Sequence, residues 1–219
     1  FIITNEVRTT NVFSNGNSGR FLTEAGFLYL PSSIYVWDNA YAVIANANIL
    51  INTDVELLEG DIDRGLHIQG EAYALRALAH FDLLKTYGQQ HVGGTLGVPY
   101  IKEFKGENDA PARETIDSNL QDIMSDLQMA YDLMTEDASK EFLSKYVAKA
   151  LESRVAIYFG MWQEARDAAK LVIDSGNYKI IGEGEYVDSF NQDAAANSIF
   201  ELAYSETDNL GSNSLSFIL

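Results

Sequence analysis

The stretch from Gly70 to Gly88 leaves the chain few ways to fold. It reads as one helix closed by glycine at each end, and its apolar residues include Tyr73, Leu75, Leu78, Phe81, Leu83 and Leu84. On a 3.6-residue wheel, Glu71, Asp82 and Lys85 fall on one side, while Arg76 and His80 fall on the opposite side. Two narrow polar strips leave no broad solvated face. Such a helix must be covered from more than one direction, which places it at the centre of an all-α domain. Ala72, Ala74, Ala77 and Ala79 let neighbouring helices approach closely, and alanine costs the helix nothing in propensity. A guanidinium buried in this setting cannot lose its proton, so Arg76 is expected to meet a carboxylate or loop carbonyls. His80 is expected to be a satisfied structural histidine.

Residues 1–32 are rich in Asn, Ser, Thr and Gly with interleaved aromatics and no sustained period, the pattern of an irregular packed arm. Ser32 and Ser33 offer an N-cap, and helical spacing of Tyr41, Ile44, Ala45, Asn48 and Ile51 predicts a helix over 33–51. Trp37 and Asn39 lie in its opening turn. After the break at Gly60–Asp63 comes the central helix, and the two are expected to pair antiparallel. Asp61 and Asp63 begin like a calcium loop but lack its spacing and terminal Glu, so helix capping is the expected role.

Gly93, Gly94, Gly97, Pro99 and Pro111 mark 89–113 as a long loop crossing the surface. Ile116, Leu120, Ile123, Leu127, Ala130 and Met134 then form the stripe of an amphipathic helix. Two further helices are expected over 144–159 and 162–175, separated by Gly160. The turn from Gly160 through Trp162 to Ala165 is similar to a tetratricopeptide turn, with Trp162 expected in the core. A strict period of about 34 residues is not visible, so any repeats are degenerate. Ile199–Tyr204 reads as a short strand or an extended loop. The expected organisation is an arm over 1–32, a helical domain with tetratricopeptide-like repeats and long irregular loops over 33–178, and a loop-rich region from 179.

Fifteen Lys and Arg stand against 32 Asp and Glu, a formal charge of −17. Such a field repels phosphates, which argues against nucleic acid and anionic membrane surfaces and is compatible with neutral ligands. There is no cysteine, and hence no thiol chemistry or thiolate metal site in these residues. No apolar run reaches the roughly 18 residues that signal a membrane helix. Phosphate-loop and zinc-site spacings are absent, His67, His80 and His91 are too scattered for a metal cluster, and no carboxylate pair stands out for acid–base work. Gly16–Arg20 lacks the second glycine of a nucleophile elbow. Glu183, Glu185 and Asp188 cluster in an expected loop that could attract calcium. No cofactor is expected.

Gly70-Glu71-Ala72, Leu75-Arg76-Ala77 and Phe81-Asp82-Leu83, followed by Tyr87-Gly88 and Gly97-Val98-Pro99-Tyr100, resemble the signature of the SusD/RagB family. Later blocks resemble it in the same order: Arg113–Ile116, Ile123 with Asp126-Leu127, Ala148 to Tyr158, Trp162 with Ala165, Ser175–Tyr178, and Ile199–Leu202. The resemblance covers roughly 34–204. It implies a non-catalytic, surface-exposed outer-membrane lipoprotein that captures oligosaccharide or peptide and delivers it to a SusC-like TonB-dependent transporter. Family members are far longer, so it also implies a fragment in which 179–219 opens a truncated region. The membrane attachment it implies runs through a lipid anchor that is not among these residues.

Neutral sugars are bound by laying their apolar ring faces on aromatic planes while Arg, Asn and Asp bond the hydroxyls. Arg20, Tyr29, Tyr35, Trp37 and Asn39 supply those parts in one segment, and the resemblance adds weight because the family takes ligand-contacting aromatics from there. The alternative is a helical-repeat scaffold that binds only protein. A glycan-degrading enzyme is a third and more distant reading.

Overall fold

The computed structural model describes residues 6–17, 19–28, 36–103, 110–135, 140–205, 207 and 211. Among them run the helices α1 (Val36–Ile51), α2 (Ile62–Tyr87), α3 (Ile116–Leu133), α4 (Lys145–Tyr158), α5 (Trp162–Asp174) and α6 (Glu183–Ser189). A single helical turn lies at Leu22–Ala25, and 3-10 turns lie at Val55–Leu57 and Gln90–Val92. The described residues contain no β-strand, only an isolated antiparallel bridge between Leu96 and Thr115. From α1 to α5 each helix packs on the next. The architecture is all-α, and its helix–turn–helix pairs are compatible with tetratricopeptide-like repeats.

Helix α2 is central, as its near-continuous apolar surface requires. It packs on α1 and α3, burying Ala72, Ala74, Ala77, Phe81, Leu83 and Leu84. It opens at Ile62, with the Asp61 carboxylate accepting from the Arg64 N–H at 3.1 Å, so Asp61 caps as expected. The glycine-bounded reading is corrected at this end: Gly70 lies inside the helix. A Cβ there would sit 2.6 Å from Met134 Cγ and 3.2 Å from the Ala130 carbonyl oxygen. This glycine serves the close approach of α3 rather than a cap. Pairs along α1 and α2 run in opposite directions, Trp37 with Tyr87, Asn48 with Arg76 and Leu50 with Gln69, so the two are antiparallel.

Thr115 caps α3, its hydroxyl accepting from the Ser118 N–H at 3.1 Å, and the predicted stripe of Ile123, Leu127, Ala130 and Met134 is buried. The segment before it departs from expectation. Val98 and Tyr100 are buried, although the glycines and prolines around them read as a surface crossing. Asn119 on α3 makes that possible by pairing with both backbone groups of Val98, accepting from its N–H at 2.7 Å and donating to its carbonyl at 3.0 Å.

Trp162 is a second correction. It is the first residue of α5 and 70% exposed. Helix side chains lean toward the N-terminus, so this ring projects past the end of α4 toward the Gly160 turn. Ala165, Ala168 and Val172 do the burying instead. The acidic cluster Glu183, Glu185 and Asp188 lies on α6, not in a loop, and Glu185 accepts from the Gly182 N–H at 3.1 Å. Ile199–Tyr204 has no strand; its Glu201 N–H donates to the Lys140 carbonyl at 2.8 Å.

A candidate ligand-binding surface

Trp37 lies in the first turn of α1, opposite the end of α2. Its ring meets Tyr87 edge-on at 4.9 Å and 90°, and lies tilted at 57° against Tyr41, also at 4.9 Å. The spacing explains the second contact, since residues four apart share a helix face. Trp37 keeps 37% of its surface exposed, and Tyr87 is half-buried. Together they form an aromatic surface at one end of the α1–α2 pair.

Backbone contacts hold that surface in place. Tyr41 donates its hydroxyl to the Pro99 carbonyl at 2.8 Å; burial, with a contribution from Glu114 against the opposing Arg113, pushes that hydroxyl well above the usual tyrosine range. Arg113 donates from Nε to the Gly97 carbonyl and from Nη2 to the Tyr87 carbonyl, each at 2.6 Å. It thereby ties the end of α2 to the incoming 96–98 segment.

Beneath lies a buried polar network. Arg76 meets Asp126 through two bonds of 2.7 Å, and its Nη1 donates to Asn48 Oδ1 at 2.7 Å. Burial alone would lower the Arg76 pKa, but the hydrogen bond and charge of Asp126 outweigh it and raise the value. Tyr100 donates to Asp126 Oδ2 at 2.6 Å; burial and the carboxylate push its hydroxyl far up. Asn48 Nδ2 donates to the Ile101 carbonyl at 2.9 Å. The acceptor predicted for Arg76 is therefore a carboxylate on α3.

His80 is equally satisfied, as expected. The Ile101 N–H donates to its Nε2 at 3.1 Å, so Nδ1 carries the proton and donates to the Arg76 carbonyl at 2.9 Å. Its ring stacks on Tyr100 at 3.7 Å. Burial holds its pKa down at about 3, with the Arg76 and Lys102 charges acting in the same direction, so the ring is neutral at physiological pH.

Of the residues predicted to bind ligand, Trp37 stands in this surface. Asn39 is exposed, but two positions along a helix turn it about 200° from Trp37. Arg20 is half-buried in the arm, where its carbonyl accepts from the Ser14 hydroxyl at 3.0 Å. Tyr29 and Tyr35 lie outside the described residues. Sequence reasoning missed Tyr41, Tyr87 and Arg113 as parts of the surface. The four-residue step from Trp37 to Tyr41 was a readable signal, whereas the meeting with Tyr87 depends on how two helices pair. Among the described residues no group of three His, Asp or Glu side chains is arranged to hold a metal ion. The arrangement offers partly exposed aromatic edges and faces, which can pack against an apolar surface.

The fold is that of an all-α domain carrying an aromatic surface, and comparison with known proteins gives its family. Residues 6–158 match the SusD-like family model described as starch-binding and associating with the outer membrane. This chain belongs to that SusD-like family. It is 29% identical over 147 residues to SusD-like protein P38 of Formosa agariphila, a match covering 66% of this chain and 27% of that protein. A SusD superfamily protein from Bacteroides thetaiotaomicron superimposes with a TM-score of 0.84 at 26% identity, over 94% of this chain and 48% of that one. A laminarin-binding SusD-like protein superimposes with a TM-score of 0.71 at 24% identity, over 88% and 42%, a likeness of fold. The chain spans less than half the length of each of these relatives.

Proposed function

We propose that this chain is the helical part of a non-catalytic nutrient-binding protein at the outer-membrane surface. It captures oligosaccharide, or a peptide of similar shape, and delivers it to a SusC-like TonB-dependent transporter. The observation that carries the reading is the Trp37–Tyr87–Tyr41 surface, partly exposed and fixed from below by hydrogen-bonded groups. The family description as starch-binding and outer-membrane-associated supports carbohydrate as the ligand class and the cell surface as the location. In this reading Trp37 is the main stacking plane, Arg20, Tyr29 and Tyr35 contribute from the arm and the approach to α1, and Asn39, turned about 200° from Trp37 on the helix, is not counted with them. A lipid anchor outside these residues attaches the full protein. The arm over 1–32, the helical domain over 33–178 and the loop-rich region from 179 are proposed as its working divisions.

A few stacking faces, each adding about 1 kcal/mol beyond area burial, give affinities on the order of micromolar to millimolar. Salt has little effect, because a neutral ligand releases no counterions. The test is calorimetry of the full-length protein against a panel of glycans and peptides, comparing wild type with Trp37→Ala and Tyr35→Ala. Both variants are expected to weaken binding of the best panel ligand, with each first checked by circular dichroism for a retained fold. Unchanged affinity in both removes these residues from the site, and an absence of binding across the panel removes the nutrient-binding reading.

A further inference from the structure

The charges around the Trp37–Tyr87–Tyr41 surface constrain a ligand in a way that its rings do not. Helices α1 and α2 run antiparallel, and so do α2 and α3, where Gly70 lies against Ala130 and Arg76 meets Asp126. The N-termini of α1 and α3 therefore open at the same end as Tyr87, and Arg113, just before α3, bonds the Tyr87 carbonyl there. Helix N-termini favour anions, because their unpaired N–H groups and dipoles point outward. Here each already has an acid of its own. Asp38 lies in the first turn of α1, next to Trp37 in sequence, and Asp117 lies in the first turn of α3; both are exposed.

Glu114 adds a third carboxylate, half-buried and accepting from the Ser118 hydroxyl at 2.8 Å. These charges reach the rings. Burial is the main reason that both tyrosine hydroxyls are pushed above the ordinary range, but Glu114 adds to the rise at Tyr41 and Asp38 adds to it at Tyr87. Arg113 opposes the first, and a bond to the Trp37 backbone opposes the second. The cations at this end are already engaged. Arg113 donates to the Gly97 and Tyr87 carbonyls, and Lys85 pairs with Asp82 at 2.6 Å while lying over the Phe81 ring.

We propose that the Trp37–Tyr87–Tyr41 surface is selective for uncharged glycans, with Asp38, Glu114 and Asp117 as the specificity-determining residues that reject glycans bearing carboxylate or sulfate groups. This deepens the glycan-binding reading above and rests on it. The rings pack on sugar faces of either kind, so the carboxylates decide between them. A fixed negative field repels an anionic ligand and leaves a neutral one unaffected, which is discrimination by repulsion rather than by added attraction.

The experiment is calorimetry of the full-length protein with matched probes at low and high salt. The probes are glucose oligosaccharides in α and β linkage, and the same oligosaccharides oxidised at C6 to carboxylates. Wild type is expected to bind the neutral member of a pair about tenfold or more tightly than its oxidised counterpart at low salt, with the gap narrowing as salt screens the field. Asp38→Asn combined with Glu114→Gln and Asp117→Asn is expected to bring that ratio toward one. The ratio is the readout because lost stacking or a damaged fold weakens both members together, and the salt response of wild type tests the same charges without substitution. Oxidised glycans bound by wild type within about twofold of their neutral partners, or more tightly, overturn the selectivity and leave the glycan-binding reading standing. If Arg113→Gln then abolishes that binding, Arg113 is an anion receptor and the proposal is equally overturned. A ratio that neither salt nor the triple substitution changes reflects shape instead of charge and also overturns it. If wild type binds neither member of any pair, this proposal and the glycan-binding reading fall together.

Discussion

The meeting of α2 and α3 and the outward faces of α5 and α6 invert the usual placement of polar and apolar side chains. At the first, an arginine, an aspartate, a histidine and a tyrosine are buried, each with a partner in reach. At the second, Trp162, Ile173, Val187 and Phe190 face outward. Composition does not account for the difference; coverage does. Helix α2 has α1 on one side and α3 on the other, whereas α5 packs chiefly on α4. Burial depends on what stands opposite a residue, and the residue's own polarity only sets what that neighbour must provide.

The largest break in the comparison comes from removing one half of the buried ion pair. Asp126→Ala leaves the Arg76 guanidinium buried without its carboxylate and Tyr100 without its acceptor. A loss of about 3 to 5 kcal/mol is expected, because an unpaired buried charge keeps its desolvation cost. Chemical denaturation of wild type and variant checks it. A loss below about 1 kcal/mol would show that the pair is reached by water and is not the anchor described here.

A smaller effect sharpens the same region through pH. An unfolded histidine titrates near 6.5, while His80 in the fold is held down at about 3. Between those values the unfolded chain binds the extra proton. His80 therefore contributes its full stability above about pH 6.5, and that contribution falls as pH drops toward 3. The slope is at most about 1.4 kcal/mol per pH unit, or roughly 2 kcal/mol between pH 6.5 and 5. His80→Gln should flatten this part of the stability curve, whatever it does to stability at pH 7. Equal slopes in wild type and variant would mean that other groups carry the acid sensitivity.

The same contrast explains how far the fold was legible. Helix α2 and the stripe of α3 could be read because a 3.6-residue pattern reports directly on coverage by neighbours, and Arg76 because a buried guanidinium admits few solutions. Val98 and Tyr100 could not. Their glycine and proline neighbours are ordinary surface-loop punctuation, and the side chain that satisfies Val98 lies on α3, at Asn119. Helix α6 was hidden by Gly182, Gly184 and its acids, which read as a loop. At the candidate surface, Trp37 was legible from residue type and position. Tyr87 and Arg113 were not, because their roles come from the antiparallel pairing and from carbonyls distant in sequence.

Trp162 provides the smallest expected effect and the sharpest test of the outer layer. By period it shares the stripe of Ala165, Ala168 and Val172, and a tryptophan buried on that stripe would cost about 3 to 5 kcal/mol on truncation. Its position changes the expectation. At the first residue of α5 its Cβ leans toward the N-terminus, where α4 has already ended, and 70% of its surface is exposed. Gly160 holds the turn with φ +72°, and the nearest Trp162 ring atom would lie 3.9 Å from a Cβ added there, ordinary contact without enclosure. Trp162→Ala in these 219 residues should therefore change stability by no more than about 0.5 kcal/mol, the usual range for a surface site. The same substitution in the full-length protein is the informative companion. A loss of several kcal/mol there, against almost none in the shorter chain, would mean that further sequence covers the outer face of α5. Equal small losses in both would leave Trp162 a surface residue in the complete protein.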